Sequence, residues 1–271
     1  MALIERLRAP DGCPWDRQQT AASVAPYLLE EAFEAVEAVE SGDAAAAAAE
    51  LGDALFQVAF LARLYAERGD FGLAQVIAEV EAKMRRRHPH VFGGAKAETS
   101  EDVKTIWYRI KSQERGRAET RAPVGLLESV PKSLPGLARA QRLGQRAEWV
   151  GFDWPGAAKV WEKVGEETGE LSRAANPGEE ETKLGELLFT LSQWARHRGI
   201  DAEAVLRRAN ASFSRRFAMM EEMVRERGLV LRGLSAQAWD NLWEEAKAWD
   251  RTRVGARDKT TQPDPGEDSG P

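Results

Sequence analysis

Glu30, Glu31, Glu34 and Glu37 recur at intervals of three and four residues, and Glu50, Asp53 and Gln57 repeat that spacing a short way along the chain. On a helix, at about 100° per residue, Glu30, Glu34 and Glu37 fall within an arc of about 60°, with Glu31 just beyond Glu34. Glu50, Asp53 and Gln57 share a similar arc on a stretch whose other residues, Leu51, Leu55, Phe56, Val58, Ala59 and Ala62, are apolar nearly all round. Such a helix is expected to be buried and to take its carboxylates inward with it. Buried carboxylates raise one another's pKa unless a cation neutralises them, and no lysine or arginine on these two stretches is placed to do so. A divalent cation is the economical solution. The donors are oxygen only, with no cysteine or histidine at a ligand spacing, which selects Mg²⁺, with Mn²⁺ able to substitute, over zinc. The Glu-x-x-His pairs of di-iron bundles are absent. Mg²⁺ held by carboxylates ordinarily keeps several waters and takes substrate phosphates, so a polyphosphate is the expected partner. Lys83 and Arg87, one turn apart, offer charge to phosphate oxygens, and Trp107 and Lys111, also one turn apart, set a flat ring beside a cation.

The elements that must position these groups are helices. Helical patterning covers roughly 20–40, 44–68, 71–87 and 101–117, broken at Ser41-Gly42-Asp43, at Gly69-Asp70 and over 88–100. It resumes over roughly 137–149, 157–175, 179–198, 202–227 and 235–250. Period-2 alternation long enough for a strand is absent, and alanine is abundant while isoleucine is scarce. The expected fold is all-α: a first helical domain over 1–120, a Pro-rich linker over 121–136, a second helical domain over 137–250 and a disordered tail over 251–271, where apolar residues almost vanish.

The two helical domains repeat one another. Cys-Pro-Trp-Asp at 13–16, containing Trp15, answers Gly-Phe-Asp-Trp at 151–154, and Glu30, Glu31 and Glu34 answer Glu166, Glu167 and Glu170. Leu51-Gly52-Asp53 answers Leu184-Gly185-Glu186, Arg85-Arg86-Arg87 answers Arg215-Arg216, and Trp107 with Lys111 answers Trp243 with Lys247. The interval from Glu31 to Trp107 is 76 residues, as is that from Glu167 to Trp243. A period this long describes two homologous domains rather than a solenoid. Their equipment differs: Glu50 is answered by Lys183, and Lys83 by Ser212. An ammonium at Lys183 is able to neutralise Glu166, Glu167 and Glu170 in place of a metal. The competent site is therefore expected in the first half, with the second a packing or dimerisation unit.

Together these segments, CPWDRQQT at 13–20, YLLEEAFEAVEAV at 27–39, ELGDALFQVAF at 50–60, RRHPHVF at 86–92, WYRIKSQE at 107–114, VGFDWP at 150–155 and KVGEETGEL at 163–171, resemble the MazG nucleoside triphosphate pyrophosphohydrolases in their tandem two-domain form. The resemblance implies helical-bundle domains, commonly a homodimer, and Mg²⁺-dependent hydrolysis of nucleoside triphosphates to monophosphate and pyrophosphate with broad base tolerance. It places the metal-binding signature on Glu30, Glu31, Glu34, Glu50 and Asp53. Glu31 or Glu34 is then the candidate general base. Lys83, Arg87 and Lys111 are the candidates for the phosphates. Trp107 is the candidate stacking platform, and Trp15 either closes over the substrate or packs.

Bulk properties bound the rest. A net charge of −6 argues against a surface that coats nucleic-acid polymers. One cysteine, Cys13, rules out an internal disulfide framework and fits a reducing compartment. No segment is expected to span a membrane, and the start, MALIERLRAP, lacks a secretory core, so a cytoplasmic protein is expected. The rival within enzymes is a phosphoribosyl-ATP- or dUTP-directed member of the same superfamily. The rival outside them is a nucleotide-sensing or interaction protein on the same fold.

Overall fold

The computed structural model describes residues 2–116 and 125–260, and these form helices and no strands. The chain divides into two compact units, residues 1–121 and 122–271.

In the first unit, α1 (Ala2–Leu7) and α2 (Pro14–Gln18) precede the long helices α3 (Ala21–Ser41) and α4 (Ala44–Glu67). They are followed by α5 (Leu73–Arg87), α6 (Pro89–Phe92) and α7 (Ser100–Gly116). Thr20 and Ser23 start α3 with a reciprocal capping box, and Gly42 ends it in the left-handed conformation at φ 76°. Asp43 then accepts from the Ala45 and Ala46 amides to start α4. So short a turn folds α4 back against α3 as an antiparallel hairpin, and α5 carries α6 and α7. The core of the unit is Ile4, Val24, Ala59, Phe60 and Leu64.

Arg8 fastens the start of the chain to this frame. Its guanidinium donates to Glu67 at 2.6 Å and to the carbonyls of Asp16 and Gln19, and it lies 5.6 Å from the Phe60 ring centre. The segments around Trp15 and His90, which lie outside the helical stretches expected from sequence, are short helices. In each a proline, Pro14 or Pro89, sits at a helix start, where its fixed φ suits the turn and its missing N–H costs nothing.

The second unit comprises α8 (Gly136–Glu148), α9 (Ala157–Leu171), α10 (Pro177–His197), α11 (Ala202–Glu226) and α12 (Ala236–Thr260). Helices α9 and α10 form the hairpin that answers α3 and α4, α8 packs on α10 and α11, and α11 packs on α12. One core cluster gathers Met220, Met223, Val224, Leu242 and Ala246. Helix α12 continues through 251–260, where a disordered tail was expected; 117–124 of the expected linker region and 261–271 lie outside the described residues.

One expectation about α4 is corrected. It is not buried within one chain: Leu51 is 56% and Leu55 64% exposed, and the facing stretch of α3 exposes Phe33 and Val39. Helical periodicity reports an apolar surface, not whether the same chain covers it. The helix is also long and apolar enough to cross a membrane by length and composition alone, owing to its alanine run. It nevertheless carries Glu50, Asp53 and Arg63, the last paired with Glu67 at 3.1 Å.

Candidate functional site

Glu31 and Asp53 lie eleven residues to either side of Gly42, so the hairpin brings them to the same height along its axis. Carboxylate oxygens of Glu31, Glu50 and Asp53 lie within 4.8 Å of one another. Glu31 also accepts from the Gln57 amide at 3.3 Å. Glu30 and Glu34 border the group from the exposed side of α3. Partial loss of hydration, followed by the negative charges of Glu31, Glu50 and Glu30, holds the Glu34 carboxyl above its ordinary pKa. None of these five carboxylates forms an ion pair with a described residue. A half-exposed cluster of hard oxygen donors with no internal cation fits a divalent ion, with several coordination positions left to solvent or substrate.

The basic and aromatic candidates form a second group. The Arg87 guanidinium lies 5.1 Å from the Trp107 ring centre. Its Nε and Nη2 donate to Glu114 Oε2 at 3.1 and 2.6 Å. Arg86 donates to the other oxygen of Glu114 at 2.6 Å, and these guanidiniums, Arg87 foremost, keep the Glu114 carboxyl below its usual range. Lys83 is half-buried one turn before Arg87, with no ion pair among the described residues. Trp15 is 55% exposed and tilts against Tyr27 at 6.1 Å. The Lys111 side chain lies outside the described residues. No described contact links the Arg87–Trp107–Glu114 group directly to the carboxylates.

The second unit repeats the frame with different charges. Arg216 lies 5.8 Å from the Trp243 ring centre and donates to Asp250 at 2.9 Å. Asp250 also accepts from the Ser212 hydroxyl at 2.9 Å. Burial opposes ionisation of Asp250, but these bonds and Arg215 outweigh it and lower its pKa. Lys247 pairs with Glu244 on its own helix at 2.7 Å. At the hairpin, oxygens of Glu167, Glu170 and Glu186 again lie within 4.8 Å of one another. Here all four carboxylates are paired: Glu166 and Glu167 with Lys163 at 3.1 and 2.9 Å, and Glu170 and Glu186 with Lys183 at 2.7 and 3.0 Å.

Three residues of these groups were not singled out from sequence. Glu114 and Asp250 each lie seven residues after the repeated tryptophan, and Lys163 lies three and four residues before Glu166 and Glu167. Closer comparison of the two halves contains all three.

Two repeated helical units, each built on a hairpin that gathers acidic side chains, define an all-α protein of tandem carboxylate hairpins. The MazG nucleotide pyrophosphohydrolase domain matches residues 19–92. A relative from Escherichia coli (strain K12), named nucleoside triphosphate pyrophosphohydrolase, is 40% identical over 253 residues, covering 91% of this chain and 95% of its own. One from Thermotoga maritima, named nucleoside triphosphate pyrophosphohydrolase/pyrophosphatase MazG, is 40% identical over 252 residues, covering 93% and 96%. A crystal structure of a mazG-related protein from Thermotoga maritima aligns with 41% of this chain and 95% of its own at 28% identity and a TM-score of 0.36. This chain belongs to the MazG nucleotide pyrophosphohydrolase family.

Proposed function

We propose that this protein hydrolyses nucleoside triphosphates to the monophosphate and pyrophosphate, using a Mg²⁺ ion held in the first unit by Glu31, Glu50 and Asp53 with Glu30 and Glu34 beside them. The observation that carries this reading is the convergence of three carboxylates with no internal cation among the described residues, in a chain 40% identical over most of its length to a nucleoside triphosphate pyrophosphohydrolase. When bound, the divalent ion supplies Lewis-acid polarisation and neutralises phosphate charge. Glu31 or Glu34 takes the proton of the water that attacks the α-phosphorus.

Lys83, Arg87 and Lys111 receive the phosphates and the departing pyrophosphate. The two bonds to Glu114 fix the Arg87 fork and leave its Nη1 directed elsewhere. Trp107 stacks with the base, a contact every base can make, so broad base tolerance follows. Trp15, exposed and set against Tyr27 of α3, is a further candidate contact. The uncovered faces of α3 and α4 support a homodimer, and the single cysteine supports a reducing, cytoplasmic setting.

The test is pyrophosphate release from a panel of canonical, deoxy and modified triphosphates with Mg²⁺. Wild type is expected to turn over several, and Asp53→Ala and Glu34→Ala to fall to background while remaining folded. Activity that survives both substitutions but is lost in Glu170→Ala would move the reaction to the second unit. Nucleotide binding without release would identify a sensor instead.

A further inference from the structure

We propose that Lys183 holds with its own ammonium the place that a divalent cation takes in the first hairpin, so that the second hairpin is a latent metal site closed by one side chain. This rests on the reading of the first cluster as a metal site. Lys183 stands where the first unit has Glu50 and bonds Glu170 and Glu186 from opposite helices. Those are the positions answering Glu34 and Asp53. Lys163, standing where the first unit has Tyr27, pairs with Glu166 and Glu167. Every carboxylate thus has an internal counter-ion, and a metal must displace an ammonium to enter.

The carboxylate cage itself persists. Glu167, Glu170 and Glu186 keep oxygens within 4.8 Å of one another, as close as the first cluster. Glu167 is 5% exposed, and its Oε2 has no hydrogen-bond partner although Oε1 is held by Lys163. A buried acceptor without a partner is costly, and it is the atom a cation would satisfy. The place is reachable, because Glu167, Glu186, Lys163 and Trp154 line an open cleft.

The experiment counts bound Mn²⁺ by electron paramagnetic resonance in the full chain, with circular dichroism as the folding control. Wild type is expected to bind Mn²⁺, and Asp53→Ala to lose it. In the Asp53→Ala background, Lys183→Glu is expected to restore at least one Mn²⁺ per chain. Lys163→Tyr with Lys183→Glu, which copies the first unit at both positions, is expected to bind more tightly still. Lys183→Met supplies a second readout: a lower melting temperature without metal that Mn²⁺ restores.

Wild-type Mn²⁺ that survives Asp53→Ala and disappears in Glu170→Gln would overturn both the proposal and the reading of the first cluster. Loss on Asp53→Ala, followed by no Mn²⁺ binding in folded Lys183→Glu variants and no Mn²⁺-dependent recovery of Lys183→Met, would overturn the proposal alone.

Discussion

Glu34 shows what the first cluster does to a single carboxyl. Its folded-state pKa is raised by lost hydration and by the charges of Glu31, Glu50 and Glu30, so the folded chain holds that proton more tightly than the unfolded chain. Stability from this group is present below the ordinary value of 4.5 and is lost as pH rises through the folded pKa. Glu34→Gln removes that loss. Metal-free Glu34→Gln is expected to melt above wild type at neutral pH, with the gap closing below the carboxylate range. Added Mg²⁺ is expected to raise the wild-type melting temperature more than that of the variant, because a ligand of the folded state stabilises it in proportion to its binding. Scanning both proteins from acid to neutral pH, with and without Mg²⁺, checks both statements. Equal melting curves would remove Glu34 from the cluster. Glu170 carries the opposite sign: its pKa is lowered by Lys183, so its contribution is present at neutral pH and lost as pH falls.

At the scale of elements, how closely α8 and α10 approach depends on Gly144. A Cβ there would lie 1.8 Å from Gln193 Oε1. Gln193 has no room to retreat: it is fully buried, its Nε2 donates to the Ala140 carbonyl at 2.7 Å, and Arg196 donates to its Oε1 at 2.8 Å. Arg196 in turn reaches Glu148 and Asp153, so a shift propagates to the Gly-Phe-Asp-Trp loop. Gly144→Ala is expected to destabilise the second unit by about 1–3 kcal/mol, measured by urea unfolding. Helix starts, stops and carboxylate spacings were readable from sequence because caps and the 3.6-residue period are local properties. Glu114 and Asp250 were less readable, since a lone acid late in a helix looks like a solvated position until the arginine on a neighbouring helix is placed against it. The short helices at Pro14 and Pro89 are too brief to show a period at all.

At the scale of the molecule, the main misreading was the burial of α4, which depends on what lies outside one chain. Leu51, Leu55, Phe33 and Val39 are all exposed large apolar side chains of the α3–α4 hairpin, a kind of surface that association of two copies, as proposed, would remove from water. If the proposed homodimer pairs through this face, Leu55→Asp, which places a charge on it, is expected to yield a monomer where wild type is a dimer, read by light scattering during gel filtration. Wild type that elutes as a monomer, or a variant that remains a dimer, counts against pairing through this hairpin. The same misreading affected the site, where Glu31 and Glu50 are half-buried and Asp53 is exposed rather than enclosed.

Arg8 is a rivet. One guanidinium gathers the end of α4, the carbonyls of Asp16 and Gln19 and the face of Phe60, so together with Ile4 in the core it ties the segment ahead of α3 to the hairpin. Trimming or tagging the protein close to Arg8 therefore affects more than a loose end. With that fastening gone, the turn that carries Asp16 and Gln19 loses its bond to the end of α4, and the seating of the Trp15 ring against Tyr27 is expected to loosen.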